Sequence, residues 1–252
     1  MKIQFASDLH LEFPKNKEFL KANPLQPSGE VLILAGDIVP FAIMDKHNDF
    51  FDYVSTHFQQ TWWIPGNHEY YRSDITQRSG TMQERIRNNV HLVNNITLFR
   101  NNIRFIFSSL WSKINPGCEW EIEKGISDFQ LIKYKGARFT SNHYNDLHEE
   151  SLDFLKTELK EPSFGKTIVV THHAPTFNKY PEKYQGDILN GAFAVELSDL
   201  IVTSQADCWI YGHIHYMVPD YYIGKTKMIS NQLGYVEFGE HKLFRSDKII
   251  KL

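Results

Sequence analysis

Short apolar runs recur along the chain, at Lys2–Ser7, Val31–Ala35, Thr61–Ile64, Arg104–Leu110, Thr167–Thr171 and Cys208–Tyr211. Most are continuously apolar and rich in Ile, Val and aromatic residues, as strands buried on both faces are. Between them the spacing predicts helices over Met44–Phe58, Asp74–Asn88, Asn142–Leu159 and Asn190–Val202. In the third of these, Leu147, Leu152, Phe154 and Leu155 form an amphipathic stripe, and Pro162 and Gly165 stop the helix before the next strand. This alternation of strands and helices predicts a layered α/β protein.

Other segments read as antiparallel. His91–Val93, Thr97–Phe99 and Ile103–Ser108 are separated by Asn94-Asn95 and Asn101-Asn102 turns. Tyr221–Ser230 and Lys242–Leu252 also read as strands, with Gly224 and Gly239-Glu240 as turns. Ser112–Ser141 has the weakest periodicity and reads as an excursion near a site.

Composition narrows the class. With 252 residues and no linker, one domain over 1–252 is the expectation. A net charge of −3 implies no general basic face for long nucleic acid, leaving only a local patch open. Two cysteines, Cys118 and Cys208, give no disulfide framework and point to a reducing compartment. The first apolar run is too short for a secretory signal, and no stretch approaches a membrane span. A soluble, cytoplasmic protein is expected, with no membrane partner and no readable oligomeric state.

Five polar clusters end apolar runs: Asp8-Leu9-His10, Gly36-Asp37, Gly66-Asn67-His68, His172-His173 and Gly212-His213-Ile214-His215. Strand ends gather at one edge of layered α/β folds, so the clusters are expected to converge. They offer two carboxylates, a carboxamide and several imidazoles, enough to hold two metal ions. Strand alternation puts Asp8 and His10 on one face, and likewise His213 and His215. Taken alone, Asp37 would read as the cap of a helix beginning at Pro40, and Asn67 as a turn residue.

Together, Asp8-x-His10, Gly36-Asp37, Gly66-Asn67-His68-Glu69, His172 and Gly212-His213-x-His215 resemble the calcineurin-like metallophosphoesterase superfamily. Leu110-Trp111, Ser127-Asp128-Phe129, Val169–Pro175, Ser230-Asn231 and Gly234-Tyr235 resemble a bacterial subgroup of predicted phosphoesterases within it. Asn231-Gln232 departs from that subgroup's Asn-Pro, outside the metal set. The resemblance implies a four-layer α/β sandwich, two mixed sheets face to face with helices outside. It also implies hydrolysis of a phosphomonoester or phosphodiester by a metal-bridging hydroxide. One metal would be held by Asp8, His10 and His215, the second by Asn67, His172 and His213, with Asp37 bridging. His68 would contact the phosphate and assist the leaving oxygen.

Two cations, two carboxylates and a hydroxide leave a charge of about +1, which attracts a phosphoryl group. The nitrogen and oxygen donors suit two divalent or mixed-valence ions among Mn, Fe, Zn, Ni and Co. The expected partner is a small phosphate-ester substrate, with nucleotides open.

Several residues stay open. His173 is second to His172 for the metal, because the usual Thr-His-x-x-Pro spacing matches His172. Trp111, Asp128, Arg138 and His148 could line the mouth, with packing and solvated charge the favoured readings. Among them Arg138 is the best phosphate candidate. Cys208 reads as a buried hydrophobe, and His47, His57, His91, His143 and His241 as surface residues. The main rival is a catalytically silent scaffold on the same fold. A hydrolase of amide or lactone bonds ranks lower, because the His-x-His-x-Asp-His run of metallo-β-lactamase-type enzymes is absent.

Overall fold

The computed structural model describes residues 1–163 and 165–250. In chain order it has β1 (Ile3–Ala6), α1 (Pro14–Ala22), β2 (Val31–Ala35), α2 (Asn48–His57), β3 (Gln60–Ile64), β4 (Met82–Arg87), β5 (Val90–Asn94), β6 (Ile96–Arg100) and β7 (Ile103–Phe107). There follow α3 (Glu119–Gly125), α4 (Asp128–Leu131), β8 (Lys133–Tyr134), β9 (Ala137–Arg138), α5 (Ser141–Lys160) and β10 (Lys166–Val170). The last elements are α6 (Ser198–Ser204), β11 (Cys208–Ile210), β12 (Tyr221–Ile223), β13 (Thr226–Ile229) and β14 (Ile249–Ile250).

Two six-stranded mixed sheets form, ordered β14-β1-β2-β3-β5-β4 and β12-β13-β11-β10-β7-β6. The four central strands of each sheet are parallel and the outermost strands antiparallel. Strand β2 shows why the sheets stack. Val31, Ile33 and Ala35 join Phe105, Phe107, Ile168, Val170 and Ile210 of the other sheet in one buried seam. Leu32 and Leu34 point the opposite way, against Leu20 of α1 and Phe51 and Val54 of α2. Behind the second sheet, Ile106, Val169 and Trp209 meet Leu155 and Leu159 of α5 and Ile201 of α6. Helix, sheet, sheet, helix is therefore the layer order, as expected from the resemblance.

Several expected elements differ. Asp74–Asn88 is not a helix: a single 3-10 turn at Ile75–Gln77 is followed by β4. Gly80 takes φ +72, which a helix cannot continue through. Beyond it Met82, Glu84 and Ile86 are partly buried while Gln83 and Arg85 are exposed, a period of two rather than 3.6. The range Met44–Phe58 divides into a 3-10 stretch, Phe41–His47, and α2. Asn190–Val202 likewise divides into a 3-10 stretch ending at Ala192 and the short α6. Tyr221–Ser230 is a hairpin turning at Gly224. Of Lys242–Leu252 only β14 is strand, Glu240–Leu243 being a 3-10 turn, and Lys251 and Leu252 lie outside the described residues. Helices α1 and α3 were not expected; α1 starts with Pro14 at its first turn, where a missing N–H costs nothing.

The excursion after β7 folds onto the rest through its own apolar cluster, in which Trp111, Phe129, Phe139 and Tyr144 pack against Tyr70. It thereby sits beside the ends of β3 and β7. Among the described residues no helix is long and apolar enough to cross a membrane.

Candidate metal centre

The parallel strands end on one edge, and the five clusters meet there. Backbone bonds lock the loops together: Asp8 N–H donates to Gly36 C=O at 2.9 Å, His10 N–H to Asp37 C=O at 2.9 Å, and Gly212 N–H to His172 C=O at 2.9 Å. The side-chain directions do not come from strand alternation as expected. Strand β1 ends at Ala6, and Asp8, His10, Asp37, His213 and His215 all take left-handed φ, between 46° and 72°. Such conformations are costly outside glycine and concentrate at functional sites. Glycines matter here mainly through closeness. A Cβ on Gly66 would lie 2.2 Å from Asp37 Oδ1 and 2.5 Å from His172 Nε2.

Two donor groups result, beside a third made of His10, Glu12 and His68. Asp8, His10, Asp37 and His215 form one, and Asp37, His172 and His213 the other, each with its donor atoms within 4.8 Å of one another. Asp37 belongs to both. Within the first, His10 Nε2 and His215 Nε2 lie 2.9 Å apart, and His215 Nε2 is 3.3 Å from Asp8 Oδ1. In the second, His172 Nε2 is 3.3 Å from Asp37 Oδ1. Asn67 follows Gly66 into the same cavity; its Nδ2 donates to Asp128 Oδ1 at 2.8 Å.

Each of the four imidazoles has one nitrogen committed to a protein acceptor. His10 Nδ1 donates to Glu12 Oε1 (3.1 Å), His215 Nδ1 to Glu240 Oε2 (2.9 Å), His172 Nδ1 to the Ala35 carbonyl (2.9 Å) and His213 Nε2 to the Ala192 carbonyl (3.1 Å). Carboxylates and carbonyls only accept, so these nitrogens each carry a proton and the other nitrogen of each ring is turned to the site. Outer acceptors that fix the tautomer are the usual support of metal-binding histidines. Asn67 Oδ1 and His172 Nε2 are buried with no hydrogen-bond partner among the described residues, which is costly unless something else satisfies them. The donor set and these two atoms fit two cations.

The electrostatics agree. Burial alone would raise the Asp37 carboxyl, but His172, His68 and His10 hold it well below the usual carboxylate range. Burial opposes protonation of His172, yet Asp37 lifts it to about 9; for His215, hydrogen bonds to Asp8 and Glu240 outweigh burial and lift it to about 10. The buried carboxylates thus draw positive charge into this space. His213 goes the other way, to about 3, through burial and the neighbouring His172.

The family model of calcineurin-like phosphoesterases matches residues 1–217, from the first cluster to the last. The chain belongs to that family. It is a metallophosphoesterase. A mimivirus protein of Acanthamoeba polyphaga mimivirus, itself uncharacterized, is 34% identical over 260 residues, covering 92% of this chain and 91% of that one. The phosphopantetheinyl hydrolase PptH of Mycobacterium tuberculosis superposes with a TM-score of 0.72 at 17% identity, over 99% of this chain and 95% of that one. A dimetal phosphatase of Danio rerio gives 0.50 at 13% identity, over 92% and 87%. At these identities the two structures show that the fold is shared.

In this phosphoesterase His68 Nε2 lies 4.0 Å from Asp37 Oδ2, and Nδ1 donates to Glu12 Oε1 at 2.8 Å. His173 stands outside both donor groups: its ring packs 4.1 Å from that of His213 and 5.2 Å from Trp111. Arg138 is away from the cavity, paired with Glu123 at 2.9 Å on an exposed surface. His148 is buried with Nδ1 on the Trp111 carbonyl, and Cys208 is buried in the seam. Asp128 is not merely packing. It is fully buried and takes hydrogen bonds from Asn67 and from the Tyr71 hydroxyl (2.9 Å), so it orients the carboxamide. His47 is buried rather than at the surface, in the turn before α2.

Sequence reading missed four supporting groups. Glu12 had a signal, lying two residues beyond His10. Glu69, within a quoted cluster, accepts from the N–H groups of Asp37, Ile38 and Gly66 and from Trp63 Nε1, so one carboxylate ties the ends of β2 and β3. Tyr235 had a signal in the Gly234-Tyr235 pair of the subgroup resemblance, which carried no role for it, whereas nothing in the sequence links Glu240 to His215. A cavity of about 360 Å³ opens over the centre, rimmed by Gly125–Asp128 of the excursion and by Tyr180, Tyr184 and Phe193. Among the described residues no Lys or Arg lines it.

Proposed function

We propose that this phosphoesterase hydrolyses a small phosphate ester with two divalent cations bound at the paired donor groups. Asp8, His10 and His215 would hold one, Asn67, His172 and His213 the other, and Asp37 would serve both. The sharing of Asp37 between two buried groups is the observation that carries this reading. When bound, the cations supply Lewis acidity toward phosphoryl oxygens and acidify water, so that a nucleophile is available at neutral pH. His68 presents Nε2 to the cavity beside Asp37 and donates a proton to the departing oxygen. The tilted Tyr71 ring, its centroid 4.1 Å from that of His68, packs against the imidazole and keeps it in place.

The all nitrogen and oxygen donor set suits Mn, Fe, Zn, Ni or Co. A cavity with aromatic walls and, among the described residues, no lining Lys or Arg favours a single small ester, a nucleotide included, over a long nucleic acid. The catalytic unit is taken as the whole of 1–252, because β13 and β14 complete the sheets and Tyr235 and Glu240 reach the site. A cytoplasmic setting suits the two cysteines, which are both unpaired. An intact donor set speaks against a silent scaffold.

The test is hydrolysis of bis-p-nitrophenyl phosphate and p-nitrophenyl phosphate by chelated protein refilled with each metal. Metal-dependent cleavage of either supports the reading, and the preferred ester separates diesterase from monoesterase. Two ions bound per chain with no cleavage by any metal would count against it.

A further inference from the structure

We infer that Glu12 is the positioning residue for leaving-group protonation, one carboxylate oxygen holding both the proton-donating His68 and the metal-side His10. This rests on the reading of His68 given above. Glu12 Oε1 accepts from His68 Nδ1 at 2.8 Å and from His10 Nδ1 at 3.1 Å. The Glu12 side chain is 12% exposed, and Oε2 is buried without a partner among the described residues. A carboxylate that directs one oxygen at two imidazoles and leaves the other unpaired is placed for those imidazoles, not for packing.

The consequence is a fixed tautomer. With Nδ1–H held by Glu12, the exchangeable proton of His68 must sit on Nε2, the nitrogen that faces the cavity between Asp37 and the Tyr235 hydroxyl (3.5 Å). At the chemical step a water-derived oxygen bonds to phosphorus as the ester phosphorus–oxygen bond breaks, and the Nε2 proton passes to the leaving oxygen. His68 is left neutral with its Nδ1–H still on Glu12. The rings of His10 and His68 lie edge to face with centroids 4.4 Å apart, so one carboxylate sets the spacing between the metal side and the acid.

Glu240 provides the contrast. Its one imidazole partner among the described residues is His215, a residue of the metal side, at 2.9 Å, and the same oxygen accepts from the Tyr235 N–H at 2.7 Å. Loss of Glu240 should therefore weaken metal retention without regard to the leaving group, whereas loss of Glu12 should depend on it.

The experiment measures kcat/KM for aryl phosphates of rising leaving-group pKa, from p-nitrophenyl to phenyl, at saturating metal, for the wild type, Glu12→Gln, His68→Asn, Glu240→Gln and the Glu12→Gln/His68→Asn double variant. A proton donor matters most for a poor leaving group, and acid catalysis contributes about 10²–10⁴-fold. Glu12→Gln and His68→Asn are both expected to lose ~10²-fold or more on the phenyl ester and under about tenfold on the p-nitrophenyl ester. The double variant should be no worse than His68→Asn. Glu240→Gln should lose all esters equally. Proton NMR of the zinc-loaded protein adds a readout independent of turnover. The downfield Nδ1–H signals of His10 and His68 should both shift or vanish in Glu12→Gln, while only that of His68 is lost in His68→Asn. Selective loss in His68→Asn with uniform loss in Glu12→Gln overturns the role of Glu12 alone. Uniform loss in both variants overturns the acid role of His68 and this inference with it.

Discussion

The two sheets contribute unequally to the centre. The ends of β1, β2 and β3 bring Asp8, His10, Asp37 and Asn67, and so both carboxylates. The ends of β10 and β11 bring only imidazoles: His172, His213 and His215. Without the second sheet, one donor group would keep three members and the other only Asp37 with Asn67. The first sheet supplies the negative charge, and the second completes the geometry. Because each group crosses the seam, metal binding there would be linked to the packing of sheet on sheet.

Asp37→Ala should have the largest effect, since it removes the one residue common to both groups. Activity should drop by more than ~10³-fold, and metal analysis after dialysis should find both ions depleted. Retention of two ions with near-normal turnover would show that Asp37 does not bridge. His172→Ala sharpens the comparison. It strips the group that depends on the second sheet and leaves the other intact, so the chain should hold close to one ion. A loss of both ions would mean that the two groups do not load separately.

Chelation probes the link across the seam. A ligand bound only by the folded state adds about 2.7 kcal/mol at a hundredfold excess over its Kd. For a chain of this size that is roughly 5–10 °C in Tm per ion. A melting temperature unmoved by EDTA and metal refilling would argue that the sheets close without regard to the ions.

Glu69→Gln tests the first sheet alone. Both carboxylate oxygens of Glu69 each accept two N–H groups, while burial and the Asp37 charge push its carboxyl up to about 8. An amide puts N–H groups against N–H groups at one end. Unfolding in urea should show a loss of about 2–3 kcal/mol, the range for buried hydrogen bonds left unmade beside a charged partner. An unchanged midpoint would mean that the loops after β2 and β3 are held by other bonds.

How much of this was legible follows the same division. Strands such as Val31–Ala35, with apolar residues on both faces, announced themselves, and so did the clusters at their ends. The family resemblance then supplied the layer order and the grouping of Asp8, Asp37 and the histidines. Illegible were features set by long-range contact. Met82–Arg87 has polar residues at every second position and became a strand because β5 was there to pair with it. Glu240 reaches His215 from a surface turn, and periodicity carries no information about that encounter. Left-handed φ at Asp8, His10 and Asp37 also escaped notice, because strand alternation assigns the same side-chain directions for a different reason.

The smallest expected effect lies away from the centre, where Asp74 ties down the excursion. Asp74 Oδ1 accepts from Thr76 N–H (3.0 Å), the Thr76 hydroxyl (2.7 Å) and Lys135 N–H (3.1 Å), and Oδ2 from Gly136 N–H (2.6 Å). It thus joins the turn at Ile75–Gln77 to the β8–β9 hairpin. The Thr76 hydroxyl bond, against a weak opposing effect of burial, leads the lowering of its carboxyl to about 2. A carboxyl depressed on folding adds stability above its ordinary value near 3.8 and loses it as pH falls toward 2. Asp74→Asn should cost about 1 kcal/mol at neutral pH, as capping residues do, and solvent screening holds it to that scale. The difference from wild type should narrow as pH drops from 4 toward 2. Metal content and turnover should stay as in wild type, because no Asp74 contact reaches either sheet's contribution to the centre. A loss of bound metal in Asp74→Asn would show instead that the excursion braces Asn67 through Asp128, and that the first sheet does not hold its share of the centre unaided.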